Sequence, residues 1–238
     1  RSPHGDRIGT GKSLSFVRPH NTTWEGTPMA NAKEYMRQQT RDLMRALNDV
    51  GQHPVGVATP EQTLQAGPLA SWEWDSAGGG NKAFVRTRPS APKEYWAHVD
   101  FDGYRAAFLS FLEREFALSA STVESSWHVD HMLNRAFARS HGIAFVRLAL
   151  LGRDSNVSYG RLLESGFSKI KANSKPMYLI DFVIMMKLLD IPAPTSKQDY
   201  SARRQVIAST FVANGFEGSE ELAMQGLDGM FALWSVLK

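Results

Sequence analysis

Residues 121–171 decide the fold, and they read STVESSWHVDHMLNRAFARSHGIAFVRLALLGRDSNVSYGRLLESGFSKIK. After a segment with two histidines and an aspartate within four positions, the apolar run Ile143–Leu151 predicts a buried strand. Residues 152–156, Gly-Arg-Asp-Ser-Asn, are typical of a turn and a helix start, and the apolar spacing of Val157–Phe167 predicts the helix itself. The predicted order is a strand that ends in Asp-His, a loop, a second strand, an asparagine and a helix.

Two spacing rules place the polar side chains of this segment. Side chains alternate between the two faces of an extended strand, so His131 is expected on one face while His128 and Asp130 share the other. Asn156 and Glu164 are separated by a little more than two helical turns, which puts both side chains on the same face of the predicted helix.

The segment resembles the ββα-metal (His-Me) finger of one-metal nucleases, the family that includes the HNH group and the DNA/RNA non-specific endonucleases. The resemblance rests on His131 at the end of the first strand, Asn156 at the start of the helix and Glu164 later on that helix. It implies that His131 is the general base and that Asn156 ligates a hydrated divalent ion, Mg²⁺ or Mn²⁺. It also implies that Glu164 holds metal-bound water.

The chain departs from the non-specific endonucleases around the base, because residues 128–131 read HVDH where those enzymes carry Asp-Arg-Gly-His. An aspartate beside the base is similar to the HNH arrangement, in which that acid is a metal ligand. Asp130 is therefore expected to ligate the metal or to support the base, and His128 is a further candidate ligand. Arg161 or Arg147 is expected to clamp the phosphate, since a guanidinium forms paired hydrogen bonds with phosphate oxygens.

These residue types suit phosphodiester hydrolysis. A water must lose a proton near pH 7, and a neutral imidazole is tuned to accept it. Negative charge develops on the phosphate and the leaving oxygen, and one Mg²⁺ held by an amide oxygen and waters neutralises that charge. We expect a metal-dependent nuclease that cleaves DNA, with RNA as a second candidate substrate. Small nuclease domains of this kind resemble toxin modules of bacterial effectors, which implies an immunity protein as partner, specialised secretion and action in a target-cell cytoplasm.

Two other functions stay open from the sequence. The first is a zinc-dependent hydrolase that uses His128, Asp130 and His131 with a distant histidine as ligands. The second is a non-enzymatic interaction module of the immunity or adaptor type, in which the helical C-terminal half forms the docking surface.

The composition removes several classes of protein. The 238 residues include no cysteine, which excludes disulfide frameworks, Cys-ligated zinc, iron–sulfur centres and Cys nucleophiles. A net charge of +3 is compatible with a polyanionic partner and is too small to demonstrate one. The apolar run Met177–Leu189 is interrupted by Asp181 and Lys187 and is too short to cross a bilayer, so we expect a soluble protein without a membrane span.

The predicted fold class is a single α+β domain over residues 1–238 that is predominantly helical. A ββα-metal finger, a short β-hairpin plus a helix, is embedded in it at residues 121–171. Residues 1–28 are expected to form an irregular arm because they contain glycines and prolines but no apolar periodicity. Residues 178–238 are expected to form a helical C-terminal part.

Local patterns predict further elements. Apolar spacing predicts helices over Ala30–Val50 and Gly103–Phe116. Residues 51–100 are rich in Gly, Pro and Trp, so we expect loops there with one short strand at Ala83–Thr87. The first helix carries arginines at steps of four, a pattern that is typical of a solvated face and that could also touch phosphates: Arg37, Arg41 and Arg45.

Overall fold

The structure is a computed structural model, which describes residues 31–49, 53–66, 69–76, 79–89, 91–123, 127–159 and 177–236. The helices within these ranges are α1 Ala32–Asn48, α2 Tyr104–Phe116, α3 Arg135–Ser140, α4 Arg153–Tyr159, α5 Phe182–Leu188, α6 Lys197–Ala213 and α7 Glu220–Val236. The strands are β1 Pro54–Val57, β2 Ser71–Trp74, β3 Ala83–Thr87, β4 Glu94–His98, β5 Trp127–His131, β6 Phe145–Gly152 and β7 Met177–Leu179, with short 3₁₀ turns at Pro60–Ala66 and Ala120–Thr122. The predicted arm at residues 1–28 lies outside the described ranges.

The strands form one curled antiparallel sheet with the order β2-β3-β4-β6-β1-β7, and β5 pairs with the far end of β6. Strand β6 is the centre of the sheet. Near its start, Val146 lies opposite Ala97 of β4 and Gly56 of β1. Further along, β6 pairs with β5: His131 lies opposite Leu148, and Trp127 lies opposite Gly152. Two sets of neighbours therefore share one strand, and β6 connects them.

The predicted fold class is wrong in its balance of elements. About half of the described residues are helical and about one fifth are in strands, and the strands form a curled half-barrel rather than a small hairpin inside a helical domain. Two of the missed strands are short and buried on both faces: all four residues of Pro54–Val57 are buried, as are the first four of Glu94–His98. Such strands lack the alternation of polar and apolar residues that marks a half-buried strand in a sequence.

The two faces of the sheet carry different side chains. One face packs against α2 and is apolar, with Ala83, Val85, Tyr95, Ala97, Leu148 and Leu150 meeting Phe108, Phe111 and Leu112. The opposite face carries stacked aromatic rings next to charged residues. There the rings of Phe84 and Trp96 lie 5.7 Å apart, and Arg86 lies directly opposite Glu94 in the strand register.

The C-terminal helices cover the end of β6. Side chains of α5, α6 and α7 join Ala149 and Leu151 in one buried cluster, to which Tyr159 of α4 also belongs. Asp181 starts α5, because its carboxylate accepts the backbone N–H of Ile184 at 2.8 Å. Among the described helices, none combines the length and apolar character that crossing a membrane requires.

Helix α1 takes the place of a strand beside β6. The side-chain amide of Gln39 donates to the carbonyl oxygen of Leu150 at 3.1 Å, and its oxygen accepts the backbone N–H of Leu150, also at 3.1 Å. Gln39 is only 4% exposed, so no water replaces these bonds. One side chain therefore satisfies both backbone groups that a neighbouring strand would otherwise pair.

We predict that Gln39→Leu lowers the free energy of unfolding by about 2–4 kcal/mol, because two buried backbone groups of Leu150 lose their partners. Urea denaturation measures the loss. The control is Gln38→Leu, one position earlier on the same helix and only partly buried, for which we expect a change within about 1 kcal/mol. Equal effects of the two substitutions would contradict the role of Gln39.

Candidate functional site

The candidate site is built on β5, β6 and α4, which follow the order that the sequence predicts. In the strand register, His128 and Asp130 lie opposite Leu151 and Ala149, which belong to the same buried cluster as Tyr159 of α4. His131 lies opposite Leu148, which belongs to the cluster on α2. Residues opposite each other in an antiparallel pair share a face, so α4 packs on the face that carries His128 and Asp130.

His131 lies inside the protein. It is 2% exposed, and its ring packs on that of Tyr104 at the start of α2, with 4.6 Å between the ring centroids. Neither ring nitrogen has a hydrogen-bond partner in the part of the chain that the structure describes. Burial lowers the pKa of His131 to about 4, although the nearby Asp130 carboxylate acts in the opposite direction. The imidazole is therefore neutral at pH 7, and its role as a general base stays a prediction.

Asp130 joins β5 to α5. One carboxylate oxygen accepts the backbone N–H of His131 at 2.8 Å, and the other accepts the ammonium of Lys187 at 3.2 Å. Lys187 is 3% exposed, whereas the Asp130 side chain is 28% exposed. The carboxylate therefore neutralises a buried cation and still faces solvent.

His128 is the histidine of this strand that solvent reaches. It is partly exposed, and two exposed arginines, Arg105 of α2 and Arg153 of α4, act on it electrostatically. Desolvation lowers the pKa of His128, the charges of Arg105 and Arg153 lower it further, and Asp130 raises it. An uncharged imidazole that feels two guanidinium charges, neither of them in an ion pair among the described residues, is a suitable environment for an anion.

Asn156 lies in the short helix α4. Its Oδ1 atom is buried and has no hydrogen-bond partner among the described residues. A buried amide oxygen without a partner is costly, and such atoms in native structures point to a ligand, an ion or a water. Arg161 and Glu164, the other residues expected on this helix, lie outside the described residues.

A hydrated divalent ion suits the donor types at this surface. Mg²⁺ binds carboxylate and amide oxygens and keeps several waters, so it needs few protein ligands. Asn156 offers the unpartnered Oδ1, and Asp130 offers a carboxylate that already neutralises Lys187. A zinc site is a poorer fit because His131 faces away from His128 and Asp130. Within the described ranges, no three His, Cys, Asp or Glu side chains come together in a way that could hold a metal ion.

Arg147 lies in a buried ion network on the other part of β6. Its guanidinium donates to Glu94 at 3.2 Å and to Asp42 of α1 at 3.4 Å. Arg88 also bonds both carboxylates, and Arg86 bonds Glu94. Burial alone would raise the pKa of Glu94, but the three arginines hold it well below its usual range. Arg147 is 4% exposed, and its guanidinium is bonded to these two carboxylates. It therefore has a structural role, and in this conformation a phosphate in solvent does not reach it.

Three residues of the site were not predicted from the sequence. Arg105 and Arg153 are ordinary surface arginines until the fold brings both near His128. Lys187 interrupts an apolar run, and a lysine inside such a run signals a buried partner, here Asp130. The contact joins positions that are 57 residues apart, so only that interruption could have drawn attention to Lys187.

No family model, no curated protein and no solved structure matches this chain.

We predict that Glu94→Gln lowers the free energy of unfolding by about 3–5 kcal/mol, because three arginines lose a buried counter-charge. Glu113→Gln on the exposed side of α2 is the matched control and is expected to change stability by less than about 0.5 kcal/mol. Denaturant unfolding at pH 7 compares the two. A Glu94→Gln protein as stable as the control would contradict the network.

We predict that His131 makes the fold sensitive to mild acid. The pKa of its imidazole is about 4 in the folded protein and near 6.5 in the unfolded chain, so the unfolded state binds the proton first as the pH falls. Stability is therefore lost between about pH 6.5 and 4, by roughly 2–3 kcal/mol from this residue. Urea unfolding at several pH values should show a shallower acid loss for His131→Leu than for the wild type, and identical pH dependence would refute the assignment.

Proposed function

We propose that the protein hydrolyses phosphodiester bonds of DNA, and of RNA as a second substrate, at the surface where β5 meets α4. The observation that carries the proposal is His128, which is partly exposed, feels the charges of Arg105 and Arg153, and lies on the face of β5 against which α4 packs. The unpartnered Oδ1 of Asn156 on α4 adds an oxygen donor to the same region.

The two arginines would bind the scissile phosphate. Both are exposed, and neither forms an ion pair within the described part of the chain. A guanidinium forms paired hydrogen bonds with phosphate oxygens and keeps its charge at every physiological pH. Arg105 and Arg153 lie on different helices and both act electrostatically on His128, so their positive charges favour a phosphate beside the imidazole.

His128 would accept the proton of the attacking water. Its lowered pKa keeps the ring neutral at pH 7, which is the protonation state that a general base needs. Acid protonates the ring, so the rate should fall as the pH drops through that pKa. A bound phosphate would raise the same pKa, because it brings negative charge to the imidazole.

Asn156 of α4 and Asp130 of β5 would hold a hydrated Mg²⁺ or Mn²⁺ through oxygen atoms. When bound, such an ion neutralises the charge that develops on the phosphate and on the leaving oxygen. Asp130 keeps Lys187 paired and fixes the backbone of His131, so it also maintains the shape of this strand. Truncation of Asp130 is therefore expected to affect both stability and activity.

Cleavage of supercoiled plasmid and of a single-stranded RNA tests the proposal, with Mg²⁺, Mn²⁺ or EDTA. We predict a metal-dependent activity that His128→Ala lowers by about 10²–10⁴-fold, the usual contribution of a positioned base. Asn156→Ala should raise the Mg²⁺ concentration that gives half the maximal rate, and Asn156→Asp should restore it.

Two controls make the result specific. Arg45→Ala, an exposed arginine of α1 away from His128, should cleave like the wild type. His131→Leu, assayed at a temperature where it stays folded, separates the two histidines. Loss of cleavage in His131→Leu with normal cleavage in His128→Ala would move the base to His131, as the family resemblance implies. Intact DNA and RNA under all metal conditions would refute the hydrolase.

A further inference from the structure

A groove runs between α1 and the turn that follows α5. Its volume is about 360 Å³. Lys33, Arg37 and Arg41 form one wall, Trp127 at the start of β5 contributes an aromatic ring, and Leu188 to Asp190 line the side formed by α5 and its turn. We call it the α1 groove.

The cations of the α1 groove are free and evenly spaced. Lys33, Arg37 and Arg41 are exposed and stand four residues apart, which corresponds to a rise of about 6 Å between neighbours along one helix face. None of the three has a carboxylate partner in an ion pair among the described residues. The Asp190 carboxylate lies against the Cα of Gly152, so close that a Cβ would not fit there. Three unneutralised cations therefore outnumber the one carboxylate of the groove.

We infer that the α1 groove binds a single strand of nucleic acid, with phosphates on the three cations and a base stacked on Trp127. A row of cations beside an aromatic ring is the arrangement by which proteins bind single strands without reading their sequence. Trp127 is partly exposed and lines the groove, so part of its side chain is available for stacking. A base inside a duplex is stacked on both faces by the neighbouring base pairs, which favours a single strand over a duplex.

The size of the α1 groove supports the same assignment. Pockets of about 300–1,000 Å³ enclose one drug-sized ligand, and the α1 groove, at about 360 Å³, has room for a short piece of one strand. The long arms of Arg37 and Arg41 leave their guanidinium groups in water, where phosphates reach them without desolvating buried surface.

The α1 groove ends beside the proposed hydrolytic surface. Trp127 and His128 are consecutive residues of β5, so their side chains lie on opposite faces of that strand, and a nucleic-acid strand that reaches from the indole to the imidazole has to pass the edge of β5. A single strand bound in the α1 groove would be the substrate of the proposed hydrolase, so this part of the inference rests on the proposed function. Binding itself requires neither His128 nor a metal ion.

Fluorescence anisotropy with a labelled oligothymidine about 12 nucleotides long tests the inference in EDTA, where no metal-dependent cleavage occurs. The affinity is measured at several salt concentrations. Replacing Arg37 and Arg41 together by alanine should reduce the slope of log K against log salt by about 1.4, because two phosphate contacts are lost. Alanine is a good helix former at these exposed positions, so the fold is kept.

Trp127→Ala should weaken binding by about 5- to 150-fold and leave the salt slope unchanged, because stacking is lost while the phosphate contacts remain. Arg45→Ala is the matched control, since Arg45 is exposed on the same helix outside the groove, and it should retain the wild-type slope. Weaker binding of a duplex of equal length is also expected.

The outcomes separate this inference from the hydrolase. Single-strand binding with these variant effects but without cleavage in Mg²⁺ would support the groove and refute the hydrolase. Cleavage by the wild type, with an unchanged salt slope and affinity in the Arg37/Arg41 double variant and in Trp127→Ala, would overturn the groove alone. Duplex binding tighter than single-strand binding would also overturn it.

Discussion

The buried ion network holds the parts of this protein in their relative positions. Arg86, Glu94 and Arg147 come from three neighbouring strands, and Asp42 comes from α1. Charges inside a protein are tolerated only when they are paired, so a shift in strand register or in the position of α1 would leave one of them uncompensated. The network therefore ties α1 to the sheet, and both the candidate site and the α1 groove depend on that connection.

Two elements present opposite chemistry on their two sides. Helix α1 turns Gln39 and Asp42 towards the sheet, while Arg37 and Arg41 line the groove, because a helix repeats every 3.6 residues. The side chains of β5 also alternate between two faces, so His131 enters the core while His128 stays at the surface. In both α1 and β5, the side packed in the core holds the element in place. The exposed groups on the other side are positioned by that packing.

Much of the fold could be predicted where periodicity is strong. The helices expected at Ala30–Val50 and Gly103–Phe116 are present as Ala32–Asn48 and Tyr104–Phe116, and the strand expected at Ala83–Thr87 has those bounds. The other strands between residues 51 and 100 were missed, because they are four or five residues long and their patterns are set by neighbours distant in the chain. A short buried strand carries too little local information to be distinguished from a loop.

The sequence by itself determined the order of β5, β6 and α4 and the split of His128 and His131 between two faces, because both follow from local periodicity. It also excluded all cysteine chemistry. Only the tertiary structure decided which histidine is buried and what Arg147 contacts. Its partners Glu94 and Asp42 are 53 and 105 residues away along the chain, and burial depends on what packs against a face. Local spacing defines the faces of a strand, and the rest of the fold decides which face meets water.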